Sequence, residues 1–282
     1  MNRGERLRGI FVRVKKQLAA ECNTIGTGWM YFTRVPLPEA IVKRINFSQS
    51  SLEQSAKYLP LAGIVVGAFG GAVFLGANEL FESKSLAVLL SMLATIAFTG
   101  AIHEDGLADF FDAFAGGWWS KDRILEIMKD SRLGTFGALA AIISFLVKFQ
   151  ALILLPDNMI PSILIAAHAF SRYAGASFIF THSYVRKNDD SYFKPMIKQQ
   201  MTTKDFIVMT VIGMLPLALV NSLLFLLLIP ILWLIRNLFG AWFIRKIGGY
   251  TGDCLGATQQ IIEIACYLVI IVAYLHPLHI GG

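Results

Sequence analysis

Charge is scarce in this sequence. Only 16% of its 282 residues are charged, 55% are hydrophobic and the mean hydropathy is +0.59. A soluble domain of this size carries about a quarter charged residues, so a soluble globular protein is excluded. Cysteine is also rare. Cys22, Cys254 and Cys266 have neither pairing nor metal-ligand spacing, which excludes a disulfide scaffold and a zinc site and leaves them as small packing residues. Neither a phosphate-binding P-loop nor a dinucleotide-binding glycine pattern is present, so any nucleotide has to be held through a metal and arginine. Met1–Lys16 is basic and interrupted by charge, unlike a secretory signal peptide with its continuous apolar core.

What is present is a series of apolar runs. Stretches able to cross about 30 Å of hydrocarbon fall near 59–80, 85–108, 136–155, 160–181, 206–220, 223–244 and 259–279, with Asn221-Ser222 dividing the last long run before the final span. The expected fold class is therefore all-α, a polytopic integral membrane helical bundle of about seven transmembrane helices, six being the alternative count. Lysine and arginine collect in alternate connections: Arg3 to Lys57 before the first span, Lys121 to Arg132, Arg186 to Lys204, and Arg245-Lys246. The intervening connections hold almost none beyond Lys84. By the positive-inside rule the N-terminus is cytoplasmic. The +6 net charge is then mostly a topology signal, and no nucleic-acid partner is implied. The same orientation places the sequon Asn46-Phe47-Ser48 in the cytoplasm, away from glycosylation. The domain reading is a basic N-terminal extension over 1–28 and one transmembrane catalytic domain over 29–282. Gly63, Gly67 and Gly71 recur every fourth residue in the first span, a pattern that lets a neighbouring helix approach closely.

The apolar run Ser85–Ile102 leads directly into His103-Glu104-Asp105-Gly106-Leu107-Ala108-Asp109-Phe110-Phe111-Asp112. Carboxylates at the end of a greasy helix are expensive. On a helix Asp105, Asp109 and Asp112 fall within an arc of about 60°, where they repel one another and call for a hard divalent cation, magnesium being the natural candidate. A solvated helix end is the plainer alternative, weakened because three aspartates at a helix C-terminus oppose the helix dipole. Two more polar segments share the expected cytoplasmic face: Lys129-Asp130-Ser131-Arg132 with its following glycines, and the glycine-rich stretch Gly248–Gln260, read as a loop and containing Thr251, Asp253 and Gln259. Acidic ligands beside basic residues and glycines suit phosphoryl chemistry. Asp130-Ser131-Arg132 could equally be a turn, and Asp253 a helix cap. His168 and Arg172 share one face of the fourth span; Arg172 is a phosphate-binding candidate and His168 a packing residue. Lys148 and Arg236 have no partner identifiable from sequence, and Trp118, Trp119, Trp233 and Trp242 fit interfacial anchoring.

The ordered series His103-x-Asp105-Gly106-Leu107-Ala108-Asp109-x-x-Asp112-Ala113 and Ile127-Met128-Lys129-Asp130-Ser131-Arg132-x-Gly134-Thr135-x-Gly137 resembles the cobalamin synthase family, the adenosylcobinamide-GDP ribazoletransferases. Phe32-Thr33-Arg34-Val35-Pro36-Leu37-Pro38 and Thr251-Gly252-Asp253-x-x-Gly256-Ala257-Thr258-Gln259-Gln260 agree, so the resemblance runs from about Met30 to Gly282. It implies a multi-pass enzyme of the bacterial inner (cytoplasmic) membrane, its active site facing the cytoplasm. The ribose hydroxyl of α-ribazole, or of its 5′-phosphate, would attack the phosphate on adenosylcobinamide-GDP, releasing GMP in a magnesium-dependent final step of vitamin B12 assembly. Under this resemblance Asp105, Asp109 and Asp112 would hold magnesium, and Asp130 would complete the metal site or act as base. Lys129, Arg132 and Arg123 would neutralise the diphosphate. Thr251, catalytic Asp253 and Gln259 would line the opposite wall, with His103, Glu104 and Arg172 as further substrate-binding candidates. A homo-oligomer, and docking of other pathway enzymes on the basic N-terminal segment, stay open. The competing readings are a CDP-alcohol phosphotransferase, whose Asp-Gly-x-x-Ala-Arg pattern is broken here by Ala108 and Asp109, and a secondary transporter, which would usually show internal repeats.

Overall fold

The computed structural model describes residues 3–186, 202–220 and 222–276. Lys187, Lys194 and Lys198 of the expected basic loop, the Asn221 break and the helix end over 277–279 lie outside the described residues. The described chain is helical. In order the helices are α1 (Arg3–Phe32), α2 (Glu39–Val42), α3 (Gln49–Ser55), α4 (Leu59–Phe81), α5 (Lys84–Thr99), α6 (Ile102–Gly116), α7 (Lys121–Ile127), α8 (Thr135–Leu154), α9 (Ile160–Thr181), α10 (Thr203–Met214), α11 (Ser222–Ile247) and α12 (Gly252–Leu275). Extended pairing among the described residues is confined to an isolated bridge between Tyr184 and Tyr250.

Five helical stretches are long and apolar enough to cross a membrane: Ser50–Phe81, Thr135–Leu154, Asp157–Thr181, Leu228–Ile247 and Gly252–Leu275. Helices α9 and α12 form the centre of the bundle, with 83% and 67% of their apolar windows buried, against 28% for α8. Glycine explains how closely α4 lies against α9. A Cβ on Gly63 or Gly67 would strike the backbone of His168 or Leu164 on α9, and one on Gly71 would stand 3.0 Å from Pro161 Cα. The fourfold glycine spacing is thus a helix-packing device.

Three expected elements take a different form. The single span over 85–108 is two helices, α5 and α6, meeting at 87°. Gly100 (φ 70°) and Ala101 (φ 59°) both adopt the left-handed conformation, ending α5. The Arg34 backbone N–H takes up the Phe98 carbonyl at 2.8 Å, and the Arg34 side chain fills the place where a Cβ on Gly100 would stand. Arg34 therefore belongs to the joint. The span over 206–220 is the 12-residue α10 followed by a 3-10 turn, Leu215–Leu219, containing Pro216. Twelve helical residues cover about 18 Å, short of a bilayer core. Finally, most of the glycine-rich stretch expected as a loop is the start of α12: the Thr251 hydroxyl accepts from the Cys254 N–H at 3.3 Å and caps the helix at Gly252.

The N-terminal helix is tied to the bundle by charge. Lys57, 5% exposed, sits 2.9 Å from Glu21 of α1 and 3.1 Å from Asp205 of α10, while the Tyr58 hydroxyl donates to Glu21 at 2.8 Å.

Candidate active site

The site starts from the crossing of α6 and α12. A Cβ on Gly106 would come within 3.3 Å of Asp253 Cα, and one on Gly256 within 3.3 Å of Gly106 Cα. Two glycines facing one another let the helix backbones nearly touch, and at this crossing Asp105 of α6 and Asp253 in the first turn of α12 border one cavity while Asp109 feels the charge of both. Because the chain bends at Gly100-Ala101, Asp105 lies in the first turn of α6, where the helix dipole favours a carboxylate. The like charges of Asp253, Asp105 and Asp112 all bear on half-buried Asp109. Asp105, Gly106, Asp253, Gly256 and Arg172 border a cavity of about 70 Å³ at this crossing, with buried His103 beside them.

A basic residue reaches the cluster through the bridge between Tyr184 and Tyr250. The Tyr250 N–H donates to Ser183 O at 3.1 Å and the Val185 N–H to Tyr250 O at 3.0 Å. Gly249 is required there, since a Cβ would collide with the Ser183 carbonyl. The pairing brings Arg186 Nη2 to 3.2 Å from Asp253 Oδ2. Sequence reasoning counted Arg186 only as a topological charge. Its role depends on a contact 67 residues away that no local pattern announces.

Asp112 has a defined task. One oxygen accepts from the Gly134 N–H at 2.7 Å and the other from the Gly137 N–H at 2.8 Å. It thereby caps α8 from another helix, and a Cβ at Gly134 or Gly137 would run into its carboxylate. The glycines that follow Asp130-Ser131-Arg132 exist to receive Asp112. Asp130 itself is engaged locally, accepting from the Arg132 N–H at 3.1 Å and Arg132 Nε at 2.9 Å. These hydrogen bonds from Arg132 hold its carboxyl low, at about 2. Lys129 and Arg132 are exposed, and Arg123 pairs with Glu126 at 2.8 Å on the surface of α7. Among the described residues, no three His, Cys, Asp or Glu side chains stand close enough together to hold a metal ion.

Behind the crossing, the polar residues that had no partner in the sequence find one another. Glu263 of α12, 3% exposed, lies 2.8 Å from Lys148 of α8 and 3.4 Å from His168 Nδ1 of α9. Gln259 Nε2 donates to Glu263 at 2.6 Å and to Ser171 Oγ at 3.0 Å; the Tyr267 hydroxyl donates to Glu263 at 3.2 Å. Gln260 joins Lys148, at 2.6 Å, to Glu104 Oε1, at 2.9 Å. Buried Arg172 lies 3.0 Å from His168 Nδ1. Arg236 is likewise accounted for, by Ser177 at 3.0 Å, Thr181 at 3.1 Å and the Phe178 ring. Thr251 is buried, its hydroxyl 3.3 Å from Asp253.

The family profile for cobalamin-5-phosphate synthase matches residues 25–271. The chain belongs to that family. Among relatives called adenosylcobinamide-GDP ribazoletransferase, that of Shewanella frigidimarina is 41% identical over 254 residues, 89% of this chain and 95% of its own length. That of Shewanella oneidensis is 44% identical over 245 residues, 86% of this chain and 91% of its own. That of Ralstonia pickettii is 43% identical over 236 residues, 83% and 89% respectively. No solved structure matches this one. As a cobalamin-5-phosphate synthase family member with several membrane-length helices, the chain is a multi-pass membrane transferase of cobalamin biosynthesis. The transporter and phospholipid-enzyme readings lapse with that membership.

Proposed function

We propose that the protein joins adenosylcobinamide-GDP to α-ribazole or α-ribazole 5′-phosphate, with magnesium, at the crossing of α6 and α12 on the cytoplasmic side of the bacterial inner membrane. The observation that carries this reading is the gathering of Asp105, Asp109 and Asp253 around two facing glycines, with Arg186 as the neighbouring cation.

The reaction is a displacement at phosphorus. A ribose hydroxyl attacks the phosphorus attached to cobinamide. The bond from that phosphorus to the bridging oxygen breaks, and GMP leaves with the bridging oxygen and its electron pair. The hydroxyl proton would pass to a carboxylate, for which Asp253 is the candidate. Arg186 faces the same side chains and supplies positive charge for the diphosphate, as Arg does at phosphate sites. Asp112 acts on the site by holding the start of α8, and with it the Lys129–Arg132 segment, against α6.

The donor set suits magnesium. The carboxylates of Asp105, Asp109 and Asp253 lie within reach of one another's charge, and magnesium is generally held by one or two carboxylates plus substrate phosphates, so a closed cage of protein ligands is not needed. Asp105 and Asp109 would hold it, with Asp253 adjacent. When bound it would offset the charge of the diphosphate. Asp112, with both oxygens on backbone amides, and Asp130, paired with Arg132, serve structure and the site's rim in this reading.

The test is GMP release by the purified protein in lipid nanodiscs. Release that requires both substrates and magnesium supports the proposal; no release with all three present contradicts it.

A further inference from the structure

A larger cavity, about 230 Å³, lies deeper between α5, α6, α8, α9 and α12, and the part of its wall formed by α5 and Glu104 offers hydrogen-bond acceptors. Three hydroxyls of α5 face it. Ser91 donates to Gly70 O at 2.7 Å, Thr95 to Met92 O at 2.9 Å, and Thr99 to Thr95 O at 3.2 Å. A hydroxyl has one proton, so each of these presents only lone pairs to the cavity. Glu104 adds a fourth acceptor. Gln260 satisfies its Oε1 at 2.9 Å, but Oε2 is buried without a hydrogen-bond partner. A buried acceptor left unmade is costly, and natural structures keep few of them. Across the cavity stands Lys148, which has three protons and gives two, to Gln260 and Glu263. The charges balance: Lys148 and Arg172 against Glu263 and Glu104. A charged ligand would upset that balance in a low-dielectric interior.

A neutral group that donates on one side and accepts on the other meets all of these conditions, and a primary carboxamide is such a group. Its NH2 protons match Glu104 Oε2 and the α5 hydroxyls, and its carbonyl matches the third Lys148 proton. We infer that this cavity is a carboxamide-binding subsite that grips the amide-bearing rim of the corrinoid substrate. The inference rests on the proposed reaction, because adenosylcobinamide-GDP supplies the amides. Arg172 borders both this cavity and the smaller one beside Asp105 and Asp253, so an arm seated in the deep cavity leaves the rest of the molecule next to the carboxylates.

The test uses the full-length protein in nanodiscs and two corrinoid probes without a nucleotide: cobinamide, and the corresponding corrinoid with its amides hydrolysed to carboxylates. Binding is read from the corrin absorption spectrum. The wild type should bind cobinamide at least tenfold more tightly than the carboxylate form. Thr95→Val, which removes one acceptor without changing shape, and Glu104→Gln should each raise KM for adenosylcobinamide-GDP and weaken cobinamide binding by at least fivefold. GDP inhibition should stay within twofold. Equal binding of the two probes by the wild type overturns the inference and leaves the cavity to water or lipid. So do unchanged KM and cobinamide affinity in both variants. Amide-selective binding with no GMP release would instead remove the proposed reaction and keep the subsite.

Discussion

The two polar regions of this molecule are built on opposite terms. In the deep network opposite charges are paired: Glu263 meets Lys148 and His168, and it accepts from Gln259 and Tyr267, while Gln260 accepts from Lys148. At the α6–α12 crossing, the charges of Asp105 and Asp253 bear on Asp109, and Arg186 is the cation bonded to Asp253. The ion pairs of the first arrangement stabilise the fold. The second makes folding harder, and like charges brought near one another at two facing glycines support the proposed site for a cation and an anionic substrate.

The sharpest way to break the comparison is to unpair the deep network. Lys148→Met leaves Glu263 buried beside a neutral chain, and removing one partner of a buried pair costs about 3–5 kcal/mol. Thermal unfolding in detergent should show a large fall in midpoint, with part of it recovered in Lys148→Met/Glu263→Gln. A small shift in the single variant would mean that the network contributes little to folding. At the crossing the expectation reverses. Asp109→Asn should lower turnover on the order of 10²–10³-fold, a typical loss when one electrostatic group is removed from an active site, while its unfolding midpoint is unchanged or higher because repulsion is relieved. A parallel loss of stability and activity would erase the distinction between the regions. Asp112→Ala sits between them: loss of two backbone amide bonds at the α8 start should cost about 1–2 kcal/mol, seen as a lowered midpoint with a milder loss of activity.

The smallest expected effect is that of pH on the Asp130–Arg132 pair. Its carboxyl, held down to about 2 by Arg132, has its stabilising form fully present above the ordinary aspartate value near 3.8, and loses it as pH falls through about 2. Between pH 5 and 9 this pair should leave the unfolding midpoint of wild type and Asp130→Asn equally flat. A slope present in the wild type alone would give Asp130 a different partner.

How much of this was legible in the sequence divides along the same line. Local features were readable. The Gly63-Gly67-Gly71 stripe predicts close helix packing, the Asp105-Asp109-Asp112 spacing predicts one helical face, and the apolar runs place the longer helices. The break at Gly100-Ala101 was missed. A glycine ending an apolar run of helix length was the available cue, but a left-handed alanine has none, and the Arg34 contact that fixes the joint comes from elsewhere in the chain. That miss moved the aspartates from the end of one helix to the start of another and reversed the dipole argument. The partners of Lys148 and Arg236 were equally hidden, since Lys148 and Gln260 are 112 residues apart and meet only when α8 packs on α12. The spacing of Asp112 shows the helical face it shares with Asp105 and Asp109 but not that Gly134 and Gly137 close over it. The glycine-rich 248–260 stretch reads as a loop by composition, yet the Thr251 cap and the need for close approach at Gly256 make it a helix start.

The central claim is that the carboxylates at the α6–α12 crossing hold a divalent cation together with a diphosphate. The direct measurement is the binding of Mn²⁺, followed by electron paramagnetic resonance, to the purified wild type and to Asp109→Asn in the presence of GDP. The claim requires stoichiometric binding by the wild type and at least tenfold weaker binding by the variant. Equal binding by the two proteins would contradict it.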